Sequence, residues 1–176
     1  MSNRIGEIPY GEESDMICEE LPGDLQELTA DKIVEYSEKL GKEYANYRDK
    51  EKNIVHGVVI GTYFDRKKNR EMPKLSDIKT NQIRNVFGAI KRVEMEWTKE
   101  KKKEKPNFSK IERELELLKP RLAYAARHDE VKPLKKVLDK AIDGVKNSDN
   151  KREAFGNFLR FIESIVAYHK FYGGKD

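Results

Sequence analysis

Apolar side chains recur at intervals of three and four along most of this chain, the spacing that keeps one face of a helix buried. Thr29 suits a helix N-cap, with Lys32 rather than Glu or Gln three residues on, and Ile33, Tyr36, Leu40, Tyr44 and Tyr47 follow on one stripe. A second stripe runs through Ile83, Val86, Phe87, Ile90, Val93 and Trp97 into the charged run KEKKKEKP. A third comprises Phe108, Ile111, Leu115, Leu118 and Leu122, with Pro120 expected to kink the helix or restart it after Lys119. Leu134, Val137, Leu138, Ala141 and Val145 mark a fourth, opened by Pro133 in its first turn. Phe155, Phe158, Leu159, Ile162, Ile165, Val166 and His169 mark the last, which Gly173-Gly174 ends.

Two stretches break this pattern. Residues 54–64, IVHGVVIGTYF, are rich in β-branched side chains, yet one strand finds no partner elsewhere, so a buried helix despite Gly57 and Gly61 is the preferred reading. DRKKNREMPK then reads as a basic loop closed by Pro73. Residues 1–26, interrupted by Gly6, Pro9, Gly11, Pro22 and Gly23, show no period and read as an acidic, mobile arm. The expectation is an all-α protein: a compact or elongated bundle of about five to six helices over residues 27–176 as a single domain, without internal repeats.

Composition sharpens this. Charged residues make up 39% of the 176 and apolar ones 37%, so the core is thin and built from helix faces. No run is apolar and long enough to span a membrane. An acidic N-terminus unlike a signal peptide, and the single Cys18, point to the cytoplasm. The net charge of +4 conceals an asymmetry: residues 1–30 hold eight acidic and one basic residue (net −7), leaving +11 for the rest. An acidic arm on a basic body implies either a polyanionic partner or attraction between the two.

Catalytic chemistry finds little support. His56, His128 and His169 stand in no common ligand spacing, and one cysteine makes no zinc site. His128-Asp129 is the pair that a metal-dependent phosphohydrolase needs, but the further histidines of such a centre are missing, and a polar helix end accounts for it. His169 falls on an apolar stripe and reads as a satisfied, partly buried histidine. Neither a GxxxxGK[ST] loop nor a GxSxG elbow is present. The expectation is no enzyme, no cofactor and no metal.

The cations offer more. With Ile83, Ile90 and Trp97 facing the core, Arg84 and Lys91 fall on one flank with Gly88 between them, and Arg92 lies nearer the outer face. This arrangement suits a phosphate backbone; it equally suits a solvated helix edge. The lysines around Lys132 alternate with Asp139 and Asp143 as soluble surfaces do.

Three stretches together carry a resemblance: Lys79-Thr80-Asn81-Gln82-Ile83-Arg84, Leu118 to Arg127 (LKPRLAYAAR), and residues 155–174 (FGNFLRFIESIVAYHKFYGG). In this order they resemble the small subunit of type III-A CRISPR (Csm) effector complexes, over about residues 74–174. The resemblance implies a helical, non-catalytic protein of antiviral defence. Several copies would line up with other Csm subunits and contact the guide–target RNA duplex, mainly along the target strand. It places Arg84 and Lys91 first as RNA contacts, Arg121 and Arg127 second, and Lys79, Arg92 and Lys132 third, and it leaves Tyr168 and Tyr172 for a neighbouring copy. The competing expectation is a helical protein–protein adaptor that binds no nucleic acid.

Overall fold

The computed structural model describes residues 12–175. Its α-helices are α1 (Glu13–Glu20), α2 (Ala30–Tyr44), α3 (Thr80–Glu100), α4 (Ser109–Ala125), α5 (Lys132–Lys146) and α6 (Lys151–Phe171). Between α2 and α3 lie two antiparallel hairpins, β1 (Arg48–Asp49) with β2 (Ile54–Val55), and β3 (Val58–Asp65) with β4 (Arg70–Ser76). The chain is predominantly helical rather than all-α.

Helix α6 is the axis of the body. Phe155, Phe158, Phe161, Ile162 and Ile165 are all buried along it, so apolar residues on and off the main stripe both find partners. It packs against α2, α3 and α5. The α2–α6 crossing is unusually close: a Cβ on Gly41 would lie 2.5 Å from the Tyr168 Cβ and 2.8 Å from the His169 backbone nitrogen. Only a glycine lets the two backbones approach so far. At the end of α6, Gly173 takes φ +92° and the Gly174 N–H donates to the His169 carbonyl, closing the helix. The buried His169 imidazole donates from Nε2 to the Ile78 carbonyl at 2.8 Å, which fastens α6 to the approach of α3. Burial holds its pKa below the ordinary histidine value, in keeping with a neutral ring.

Two expectations, the buried helix over 54–64 and the basic loop after it, need correction. Residues 54–64 are not a buried helix: Ile54–Val55 pairs with Arg48–Asp49, and Val58–Asp65 pairs with Arg70–Ser76. The presumed loop supplies the partner strand. Pro73 stands opposite Thr62, where the register shifts between Val59 and Thr62, and such an irregularity in an edge strand is a position that tolerates proline. Residues 12–26, the described part of the expected arm, pack on the body. Ile17, Leu21, Leu25 and Leu28 are buried, and the Asn157 amide donates to the carbonyls of Leu25, Gln26 and Leu28, binding the 3₁₀ turn Leu25–Glu27 onto α6. The remainder of the proposed arm, residues 1–11, lies outside the described residues. Of the two outcomes expected at Pro120, a kink or a restart, the restart does not occur: α4 is one helix through it.

Glu43 fixes α1 in place. Its carboxylate accepts from the backbone N–H of Glu13 (2.9 Å) and Ser14 (3.2 Å) and from the Ser14 hydroxyl. It thus caps the first turn of a helix far away in sequence. Burial pushes its pKa up to about 7, against the pull of these donors.

Candidate nucleic-acid interface

The outer face of α4 is set by its stripe. With Ile111, Leu115, Leu118 and Leu122 buried, residues at four, four and three intervals on the other side (Arg113, Leu117, Arg121 and Tyr124) share the exposed face. Leu117 is 57% and Tyr124 70% exposed, high values for side chains of this size. The Arg127 guanidinium lies 4.0 Å from the Tyr124 ring centroid and also donates to the Tyr124 carbonyl.

Between this face and α3 lies a cleft of about 250 Å³, lined by Gln82, Asn85 and Ala89 from α3 and by Arg121, Tyr124, Arg127 and His128 from the α4 side. It is smaller than the roughly 300–1,000 Å³ of small-molecule pockets. Apolar Val86, Leu118, Leu122 and Ala125 complete its lining.

The cations divide by type. Lysines of the helical body are largely spoken for: Lys99, Lys103, Lys110, Lys119, Lys135, Lys136, Lys146 and Lys151 each have a carboxylate partner. Arg84, Arg92, Arg113, Arg121 and Arg127 are exposed and have no ion pair among the described residues. Their charge is therefore available to an outside anion.

The residues singled out from the sequence separate accordingly. Lys91 binds Glu94 at 2.6 Å and Glu163 of α6, with its ammonium 5.2 Å from the Phe87 ring centroid. The Glu163 and Glu94 carboxylates hold its pKa above the ordinary lysine value. Arg84 shares that flank but carries no such partner, and Gly88 beside it is open, with nothing within 4 Å of an added Cβ. Arg92 donates to the Gly88 carbonyl at 3.3 Å. Lys79 pairs with Asp77 at 3.2 Å and Lys132 with Asp129 at 2.5 Å. Arg121 and Arg127 come together at the cleft. By helix geometry Arg84 and Lys91 lie on the opposite flank of α3, toward α6, so the two sets form no single patch. Tyr124, Arg113, Leu117 and Asn85 were not singled out in the sequence; the spacing of 113, 117, 121 and 124 was the available signal.

The His128-Asp129 pair is divided, for Asp129 is committed to Lys132, which lowers its pKa. Among the described residues no group of three or more His, Cys, Asp or Glu is placed to hold a metal ion, and no helix is long and apolar enough to cross a membrane.

A family model described as Csm2 Type III-A matches residues 65–175, from the tip of the β3–β4 hairpin to the end of α6. No curated protein and no solved structure matches the chain.

Proposed function

The chain belongs to the Csm2 Type III-A family, the small subunit of the type III-A CRISPR complex, and from that premise we propose that it binds the RNA that complex holds. On this reading it is a structural subunit of antiviral defence with no reaction of its own. It stands as one of several copies beside the other Csm subunits and contacts the guide–target duplex through the target-strand backbone. Base pairing supplies the sequence specificity, and the protein needs only charge and shape.

One observation carries the proposal. The α3–α4 cleft brings Arg121 and Arg127, which have no ion pair among the described residues, together with an open Tyr124, and Arg113 lies farther along the same α4 face, while most lysines of the helices have carboxylate partners. Guanidinium groups suit phosphates because they present several donors in a rigid fork. We rank Arg121 and Arg127 first among the contacts, and Arg84 and Arg92, on other sides of α3, second. Lys91, Lys79 and Lys132 would each have to exchange an internal partner for phosphate.

Ultraviolet crosslinking of the assembled complex to target RNA, followed by peptide mapping, tests this. Adducts within residues 113–128 are the expected result. A complex that incorporates the subunit and yields no adduct on it would support the protein–protein adaptor instead.

A further inference from the structure

We propose that the β3–β4 hairpin is a second contact, taking single-stranded RNA across its outer half; this inference rests on the RNA-binding reading above. The base of the hairpin is anchored by buried Val58 and by Ile60 packed against the core, and Met72, opposite Tyr63, is buried farther out. Beyond Gly61 the β3 side chains Thr62, Tyr63 and Phe64 are exposed. Tyr63 is 51% and Phe64 58% exposed, and their cross-strand partners are Met72 and Glu71. Successive strand residues face opposite sides, so each face of the ribbon carries one open ring.

The tip is a tight basic turn. Asp65 spends a carboxylate oxygen on the backbone N–H of Lys67 (2.9 Å) and Lys68 (3.2 Å), and Asn69 closes the turn at φ +51°. Arg66, Lys67 and Lys68, with Lys74 on β4, are exposed and have no ion pair among the described residues. Over residues 58–76 there are five cations against two anions. Most lysines of the helices have a carboxylate partner, whereas Arg66, Lys67, Lys68 and Lys74 have none among the described residues.

Unpaired cations beside open aromatic rings suit a single strand, whose backbone meets the charge and whose unstacked bases meet the rings. A ribbon does not enter the deep, narrow major groove of an RNA duplex. Nor does it invite an added protein strand, because Pro73 lacks a donor and Lys74 sits beside it on β4.

Placement supports the same occupant. Strand β3 packs beside the 3₁₀ turn Asp129–Val131, which follows directly on Arg127 and His128 of the cleft. Gln82, at the rim of that cleft, donates to Glu130 in the same turn at 3.0 Å. The hairpin therefore rises from the end of the molecule where the α4 face terminates, and one polynucleotide can leave the first surface and reach the second.

The test is fluorescence anisotropy of the purified full chain with a labelled oligouridylate, and with an RNA duplex of equal length, over a salt series. Three variants are compared: Arg66→Ala/Lys67→Ala/Lys68→Ala, Tyr63→Ala/Phe64→Ala, and Arg121→Ala/Arg127→Ala, each checked for parental helical circular dichroism. The cation variant is expected to bind the single strand at least tenfold more weakly, with the slope of log affinity against log salt reduced by about 2. The aromatic variant is expected to lose about tenfold with its slope unchanged. Both should affect the duplex less. If both hairpin variants bind the single strand as the parent does while Arg121→Ala/Arg127→Ala weakens, the hairpin inference falls and the α4 reading stands. If the parent binds neither RNA, both fall. Hairpin variants that keep RNA affinity but fail to join the complex would mark a protein contact and overturn the inference. The tip substitutions remove no buried group, so this arm stays decisive even if the aromatic variant misfolds.

Discussion

The Arg127 guanidinium covers the ring of Tyr124 at 4.0 Å, and the two side chains form an exposed pair at the mouth of the α3–α4 cleft. Packing on the ring pre-orders the long arginine side chain, so less conformational freedom is lost when it meets a phosphate. Tyr124 stays 70% exposed, so on the RNA-binding reading the ring face away from Arg127 is open to a base. Tyr124→Ala is expected to weaken target RNA binding by about 1–3 kcal/mol, the value of one base on an aromatic side chain, without lowering thermal stability. Equal affinity in parent and variant would remove Tyr124 from the interface.

Arg84 and Lys91 share a flank of α3 but differ in commitment. Lys91 is held by Glu94 and Glu163, whereas Arg84 has no ion pair among the described residues. Arg84→Ala should therefore weaken RNA binding more than Lys91→Ala. The lysine variant should instead cost stability, by about 1 kcal/mol at most, as partly exposed pairs do. Binding titrations alongside thermal melts separate the two; a larger affinity loss in Lys91→Ala would mean that Lys91 exchanges its carboxylates for phosphate, against this prediction.

Gly41 is where α2 and α6 touch. A methyl group there meets the Tyr168 Cβ and the backbone of His169, neither of which is a flexible end that can swing aside. Gly41→Ala gains about 1 kcal/mol in helix propensity and loses about 1–3 to overpacking. Differential scanning calorimetry should show a net fall in Tm of several degrees. An unchanged or raised Tm would mean that the crossing is looser than the structure shows.

Glu43 gives the fold a pH dependence. Its pKa in the folded chain, about 7, lies above the ordinary 4.5, so between those values the folded chain holds a proton that the unfolded chain has lost. Stability from this group is complete below pH 4.5 and is lost as pH rises through 7, amounting to about 3 kcal/mol as an upper bound. Denaturant titrations should show this slope in the parent and a flatter one in Glu43→Gln. Hydrogen exchange should place the loosening in α1, whose first turn Glu43 caps. Identical pH profiles in the two proteins would contradict the assignment.

The helices were legible because each buries one stripe, and Ile83 to Trp97 or Phe155 to His169 announce themselves by spacing alone. The hairpins were not. Strand β4 carries Pro73 and mixed charges with only Met72 buried, so no alternation marks it and β3 looked partnerless. Helix α1 was hidden differently: Ile17, Leu21, Leu25 and Leu28 keep helical spacing, but Pro22 and Gly23 break it, and long-range bonds from Glu43 and Asn157 hold the pieces. For the site, spacing placed Arg84 and Lys91 together correctly on a wheel yet is blind to Glu163, which approaches from another helix. Arg121 and Arg127 entered through family resemblance alone. Tyr124 needed the structure, since only the burial of the opposite face shows that it is open.

The central claim is that Arg121 and Arg127 meet RNA phosphates. The most direct measurement is a salt series of target affinity for the assembled complex carrying Arg121→Ala/Arg127→Ala, against matched and mismatched targets. Each lost phosphate contact should lower the slope of log affinity against log salt by about 0.7 for a single strand, so the double variant should fall by about 1.4. Discrimination between matched and mismatched targets should be unchanged, because these contacts position the RNA and do not read it. A double variant that assembles and binds target with the parental slope would contradict the account.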